Sequence, residues 1–173
     1  MKFLFVLSLF WISFSSSGQN PGQVTFDSLR QYSITQEDSL IDIWGKEMNI
    51  HEYEKVNADL RIPNNWGPTE INFAKANLSG DTLYIEFHGY PGHTIETFKI
   101  TIVKDKYRSY YSFIDDGDFV SKMTPLDTKL ILNKGNYKKG TTLKGYTEYN
   151  GNCRNCKGNK TIEIKGSFKT LVE

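Results

Sequence analysis

The sequence predicts an all-β protein whose single domain is an antiparallel β-sandwich. Three observations support this fold class. Apolar and polar residues alternate with period two in most segments after residue 70. Turn-forming residues separate these segments at intervals of roughly ten residues. No long stretch with helical periodicity lies between them. Such alternation is typical of strands with one face in the core and one in water.

The strands after residue 80 fix the expected core. The apolar positions predicted to face inward are Leu83, Ile85, Phe87, Phe98, Ile100, Ile102, Ile162, Ile164 and Phe168. Gly, Asp, Asn and Ser cluster between the runs, as turns require. The same alternation also fits an eight-stranded, lipocalin-like barrel, because closing a sheet does not change which residues point inward. The barrel is therefore the alternative architecture.

The first part of the domain is less regular. Phe26, Leu29 and Tyr32 recur at a spacing of three, which suits one or two helical turns. We therefore expect a short helical or irregular segment at the N-terminal end of the domain. Leu40–Trp44 is rich in β-branched residues and half alternating, so it favours a strand over a helix.

The first eighteen residues have the pattern of a secretory signal peptide. Lys2 is the one charge before Asp27, the stretch Phe3–Phe14 is almost wholly apolar, and residues 15–18 are small. An uncleaved membrane anchor is the weaker interpretation, because about 20 apolar residues are needed to span a bilayer. The sequence thus predicts residues 1–18 as signal peptide and residues 19–173 as one domain. The expected location is periplasmic or extracellular, with no membrane span after cleavage.

The charge balance excludes partners that need a strong field. The chain has 21 Lys and Arg against 20 Asp and Glu, a net charge of +1. Cleavage after Gly18 removes Lys2, which leaves 20 against 20. Nucleic acid is therefore not an expected partner.

The two cysteines, Cys153 and Cys156, are predicted to form a disulfide bond. The first and fourth residues of a turn lie within about 7 Å, which admits the bond, and export supplies an oxidising setting. The alternatives are a labile redox pair, half of a metal site, or two free thiols. His88 and His93 would complete a tetrahedral zinc set in composition. Nothing in the sequence brings them beside the cysteines, so no metal or other cofactor is predicted.

Exposed aromatic residues are the candidate ligand surface. Tyr84, Tyr110 and Tyr146 fall on the predicted solvent-facing sides of strands, Trp66 lies in a Pro-flanked loop, and Arg108 is a nearby cation. Such rings could contact a glycan or another exported protein. The competing explanation is that Tyr simply favours strands.

The predicted function is a secreted, non-enzymatic binding or structural module of unknown ligand. The chain contains no Gly-x-Ser-x-Gly, no His-Glu-x-x-His and no phosphate-binding loop. Two alternatives stay open at this stage: a metal-dependent or hydrolytic enzyme, and a carbohydrate-binding module that uses exposed Tyr and Trp residues.

Overall fold

The computed structural model describes residues 20–34, 40–44, 51–62, 69–89, 95–114, 120–153 and 160–173. This part of the chain contains thirteen β-strands and no helix. The strands are β1 (Gly22–Gln23), β2 (Thr25–Phe26), β3 (Leu40–Trp44), β4 (His51–Lys55), β5 (Ala58–Ile62), β6 (Thr69–Ser79), β7 (Thr82–Gly89), β8 (Ile95–Val103), β9 (Lys106–Ile114), β10 (Val120–Lys122), β11 (Thr124–Leu132), β12 (Thr142–Cys153) and β13 (Lys160–Leu171). The predicted signal peptide lies outside the described residues.

Eleven of the strands form one sheet, and β3 and β4 form a separate hairpin. The main sheet has the order β1-β9-β8-β7-β6-β5-β13-β12-β11-β2, and β10 also pairs with β9. From β5 to β9, and from β11 to β13, each strand is antiparallel to the next one along the chain. The last strand then returns to the first of this series, since β13 pairs with β5. This pairing joins the two series into eight neighbouring strands, from β9 to β11 in the order of the sheet, and bends them round toward closure.

The remaining seam lies between β9 and β11, and short strands bridge it at both ends. At one end β10, which leads directly into β11, pairs with β9. At the other end β1 pairs antiparallel with β9 and β2 pairs parallel with β11. Val24, between β1 and β2, is buried there. Across the seam the Tyr107 hydroxyl donates a hydrogen bond of 3.2 Å to Thr128 Oγ1. The sheet is therefore nearly closed.

The all-β prediction is confirmed, and the sheet is antiparallel apart from the parallel pairing of β2 with β11. A single, nearly closed sheet is consistent with both predicted architectures, the sandwich and the lipocalin-like barrel, and its near closure favours the barrel. The physical reason is the pairing of β13 with β5, a long-range contact on which the alternation of side chains carries no information.

The core follows the predicted pattern. Eight of the nine residues expected to face inward are buried, and Ile162 is partly buried against them. Phe87 lies at their centre, with ring centroids 5.2 Å from Phe98 and 5.1 Å from Phe168. Gly145 on β12 makes room for this cluster, because a Cβ atom there would overlap the Phe168 ring. Aromatic pairs of this kind contribute about 0.5–1.5 kcal/mol beyond the burial of their area.

The N-terminal segment, residues 20–34, contains the short strands β1 and β2 and is otherwise irregular rather than helical. Asp27 organises its second half, since its Oδ1 accepts hydrogen bonds of 3.0 Å from the backbone N–H groups of Leu29 and Arg30. The Tyr32 hydroxyl donates to the Asp27 carbonyl at 3.0 Å. Bonds of this type stabilise turns as well as the first turn of a helix, and here no helix follows in residues 28–34. Of the two expectations for this segment, the irregular one is therefore correct, and the strand expected at Leu40–Trp44 is present as β3.

Candidate functional site

Three of the predicted surface residues share one outward face of the sheet. Tyr84 lies on β7, and Arg108 and Tyr110 lie on β9, with β8 between the two strands. Pairing places Tyr84 opposite Thr101 of β8, and Thr101 opposite Arg108. The neighbouring row runs from Glu86 through Lys99 to Tyr110 in the same way. The sheet register thus assembles residues that are far apart in the sequence.

Both rows continue onto β6, and together they form what we call the open face. Its eight residues are Asn77, Tyr84, Thr101 and Arg108 in one row and Lys75, Glu86, Lys99 and Tyr110 in the other. Neighbouring strands are about 4.8 Å apart, and alternate residues on one strand are about 6.7 Å apart. The grid therefore measures about 14 Å by about 7 Å between backbone positions.

The two tyrosines are the main apolar surfaces on the open face. Tyr84 is 42% exposed and Tyr110 is 39% exposed. They occupy diagonal positions, two strands and one row apart, so their backbone positions are separated by about 12 Å. A Tyr ring offers an apolar body and a polar hydroxyl tip. The face thus presents two such rings to the same side.

Polar groups surround the rings, and cations predominate. Lys99 Nζ donates a hydrogen bond of 2.6 Å to Glu86 Oε1, which holds both side chains across β7 and β8. Exposed ion pairs of this type stabilise a fold by about 0–1 kcal/mol. The main effect of the Glu86–Lys99 pair is therefore to set the positions of its two charged groups. The three cations of the open face are Lys75, Lys99 and Arg108, and its one acid is Glu86. The net charge of the open face is therefore +2.

The open face ends where neighbouring side chains become buried. The next row along the sheet includes Phe73, paired with His88, and Ser112 of β9. Phe73 and Ser112 point outward but are only 3% and 9% exposed, so other parts of the protein cover this row. Phe73 reaches the outside through a register shift between Ile71 and Phe73. The open face is therefore bounded on this side.

A groove of about 390 Å³ adjoins the other end of the open face. It lies at the β8–β9 turn and is bordered by Pro21, Val103 and Tyr107, and it shares Thr101 and Arg108 with the open face. The volume falls in the range of small-molecule sites.

The turn beside this groove is tied to β1. Gln23 Nε2 donates to Asp105 Oδ2 at 2.6 Å, and the Val24 N–H donates to the Asp105 carbonyl. The side-chain hydrogen bond from Gln23 lowers the pKa of the Asp105 carboxyl, and a backbone N–H acts in the same direction. Asp105 therefore stays ionised, and its carboxylate is engaged by β1.

Tyr146 does not belong to the open face. It lies on β12, and the Arg30 guanidinium of the N-terminal segment covers its ring, with the carbon 4.2 Å from the ring centroid. Burial raises the pKa of the Tyr146 hydroxyl, and a hydrogen bond with Glu148 adds to this shift. Ile131, which pairs with Tyr146 on β11, is 5% exposed although it points outward. We call Ile131 and Tyr146 the covered face.

Trp66 lies outside the described residues.

The cysteine and histidine candidates are only partly described. Cys153 is buried on the inner face at the end of β12 and is not a free cysteine. His88 points outward from β7, so the two residues lie on opposite faces of the sheet. Cys156 and His93 lie outside the described residues, and the disulfide stays a prediction. Within the described ranges, no group of three or more His, Cys, Asp or Glu residues is placed to hold a metal ion.

Sequence reasoning missed Lys75, Asn77, Lys99 and Thr101 as members of the site. Their outward direction could be read from the alternation, but their alignment with Tyr84 and Tyr110 depends on strand register, which needs the pairing. The groove also depends on Pro21, which the chain brings to the β8–β9 turn through β1.

Comparison with protein-family models, with curated proteins and with solved structures finds no match for this chain. In the described part of the chain, no helix is long and apolar enough to cross a membrane.

Proposed function

We propose that the protein is an exported, non-enzymatic binding module that holds a glycan on its open face. The observation that carries this proposal is the exposure of Tyr84 and Tyr110 on one side of the sheet, beside Arg108 and the Glu86–Lys99 pair. Sugars have apolar C–H faces and a rim of hydroxyls. Tyr rings can cover the former, and charged and amide groups can hydrogen-bond to the latter.

The size of the open face favours a small ligand over a protein partner. A stable protein interface buries about 800 Å² on each partner. The backbone grid of the open face covers roughly 14 Å by 7 Å, about 100 Å². Even with its side chains extended, this patch matches a short oligosaccharide better than a protein surface. The buried row at Phe73 and Ser112 limits its extension in one direction.

The hydrogen-bonding groups suit a polyhydroxylated ligand. Asn77 offers both donors and an acceptor, Thr101 offers a hydroxyl, and Arg108 offers a planar fork of donors. The Glu86–Lys99 bond fixes one acceptor and one donor in the middle of the patch. Groups that are already positioned lose less entropy when a ligand binds.

Export is part of the proposal, and the N-terminal sequence supports it. Cleavage after Gly18 would leave Gln19 as the first residue, three positions before β1. The Cys153–Cys156 disulfide belongs to the same proposal, since an exported protein meets an oxidising environment. Mass spectrometry of the protein from its native host should find a mature chain that begins at or near Gln19. A product that retains Met1–Phe14 would contradict export by cleavage.

A glycan array tests the binding function directly. The mature wild-type protein is compared with the double variant Tyr84→Ala/Tyr110→Ala and with Leu126→Ala, whose side chain is 65% exposed on β11, away from the open face. We expect the double variant to bind its best glycan at least about tenfold more weakly, and Leu126→Ala to match wild type. Equal binding by all three proteins, or no binding by wild type, would overturn the proposal. Circular dichroism confirms that the variants fold.

A further inference from the structure

We infer that the ligand is an anionic amphiphile: its acyl chain lies in the groove at the β8–β9 turn, its negative group meets the cations on the rim of that groove, and the remainder of its polar head lies on the open face. This inference rests on the proposed function and deepens it, because it adds an apolar part and a negative charge to the glycan-like head. Three observations support it: the apolar walls of the groove, the cations on its rim, and its continuity with the open face.

The walls of the groove suit a hydrocarbon chain. Pro21 and Val103 present purely apolar side chains, and mostly apolar atoms line the remainder. Lys and Arg side chains can contribute their methylene stems to such walls while their charged ends reach water. The volume of about 390 Å³ is near the lower end for small-molecule sites, so a single chain fits better than a bulky ring system.

The rim of the groove selects a negative group next to the acyl chain. Lys104, Lys106 and Arg108 all border it, against one acid, Asp105. The Asp105 carboxylate already accepts a hydrogen bond from Gln23 Nε2. Three cations at one small groove are unusual in a chain whose overall net charge is only +1. A carboxylate or phosphate next to the apolar chain would match this rim.

Continuity makes the groove and the open face one site. Thr101 and Arg108 border the groove and also form half of one row of the open face. Tyr84 is the direct cross-strand neighbour of Thr101. A ligand with its tail beside Val103 therefore has its head next to Tyr84, about two residues further along the strands, or roughly 7 Å.

In the sequence next to Pro21, the chain offers an apolar occupant for the groove only before cleavage. The apolar stretch Phe3–Phe14 precedes Pro21, which borders the groove. In a chain cleaved after Gly18, Gln19 and Asn20 are the residues that precede Pro21, and both are polar. They cannot replace an apolar occupant, which leaves the groove of the mature protein for an exchangeable ligand.

Titration with three probes tests the inference on the mature protein. The probes are decyl phosphate, decyl maltoside and maltose, each below its micelle concentration where it has one, followed by backbone amide shifts in NMR spectra. We expect both decyl probes to shift the amides of Val103 and Lys106, and decyl phosphate to bind at least about tenfold more tightly than decyl maltoside. Maltose should shift only amides of the open face.

Matched variants distinguish the contribution of the acyl chain to binding from that of the charged group. Val103→Ser should weaken both decyl probes about tenfold, since it removes apolar contacts from the wall. Lys104→Gln/Lys106→Gln should weaken decyl phosphate about tenfold and leave decyl maltoside unchanged. Leu126→Ser, which removes an exposed apolar side chain on β11, should change neither.

The outcomes distinguish this inference from the proposed function. If a glycan binds at Tyr84 and Tyr110 but neither decyl probe shifts the groove amides, the inference is wrong and the proposed function stands. If no glycan and no probe affects Tyr84 or Tyr110, both fail. If the groove amides shift when residues 1–18 are removed and the mature protein then responds to no probe, the groove accepts only the chain's own apolar stretch, which overturns the inference.

Discussion

The open face and the covered face both consist of side chains that point outward from strands, but the two faces differ in solvent exposure. Both contain aromatic side chains that point outward from antiparallel strands. On the open face Tyr84 is 42% exposed, whereas on the covered face Ile131 is 5% exposed and Tyr146 lies beneath Arg30. The difference shows that an outward direction on a strand does not determine exposure. A segment from elsewhere in the chain decides it.

The N-terminal segment covers β11 and β12 because specific bonds hold it there. Thr25 and Phe26 pair parallel with Ile131 and Leu132, and the Asp27 N–H then donates to the Leu132 carbonyl at 2.9 Å. These bonds bring Arg30 over Tyr146. The open face lacks an equivalent covering segment among the described residues, so its tyrosines stay accessible to a ligand.

The largest expected effect concerns the core that both faces share. Phe87→Ala should lower the free energy of unfolding by about 3–5 kcal/mol, because the ring is fully buried between Phe98 and Phe168. Urea denaturation measures this change. A loss below about 1 kcal/mol would mean that the two faces do not rest on one packed core.

The next effect compares the two faces directly. Ile131→Ala should lower the free energy of unfolding by about 2–4 kcal/mol, because this outward side chain is only 5% exposed. Tyr84→Ala on the open face should change stability by no more than about 0.5 kcal/mol. Parallel urea denaturation of the two variants gives both values. Equal losses would erase the distinction between the faces.

A smaller effect should follow from removing the cation over Tyr146. Arg30→Ala should destabilise the protein by about 0.5–1 kcal/mol, the usual contribution of a cation–π contact near the surface. Chemical nitration should then modify Tyr146 faster than in wild type, and the nitration of Tyr84 should not change. Lys in place of Arg30 is the matched control, because it retains the charge. Unchanged nitration of Tyr146 in Arg30→Ala would argue against the cover.

The smallest effect is a dependence on alkaline pH. Burial raises the pKa of the Tyr146 hydroxyl above its unfolded value of about 10, so the folded state favours the protonated form. The resulting stability is fully present below pH 10 and is lost as the pH rises through the raised pKa. Tyr146→Phe should therefore make the alkaline loss of stability less steep. A loss as steep as that of wild type would show that Tyr146 titrates normally.

The sequence was sufficient for the direction of most side chains but not for their surroundings. The alternation identified Phe87, Phe98 and Phe168 as core residues, because period two depends on local geometry alone. It could not reveal the pairing of β13 with β5, or the register that aligns Thr101 with Arg108, because both are long-range contacts. Phe73 illustrates a second limit, since a register shift turns it outward and a cover then buries it.

Protection of individual tyrosines tests the central claim most directly. The mature protein is nitrated briefly with and without the glycan that gives the strongest array signal, and each tyrosine is quantified by mass spectrometry. Without glycan, Tyr84 and Tyr110 should react faster than Tyr146, since Arg30 covers the latter. With glycan, the modification of Tyr84 and Tyr110 should fall severalfold, and that of Tyr146 should stay the same. Protection of Tyr146 with continued reaction of Tyr84 and Tyr110 would contradict the account.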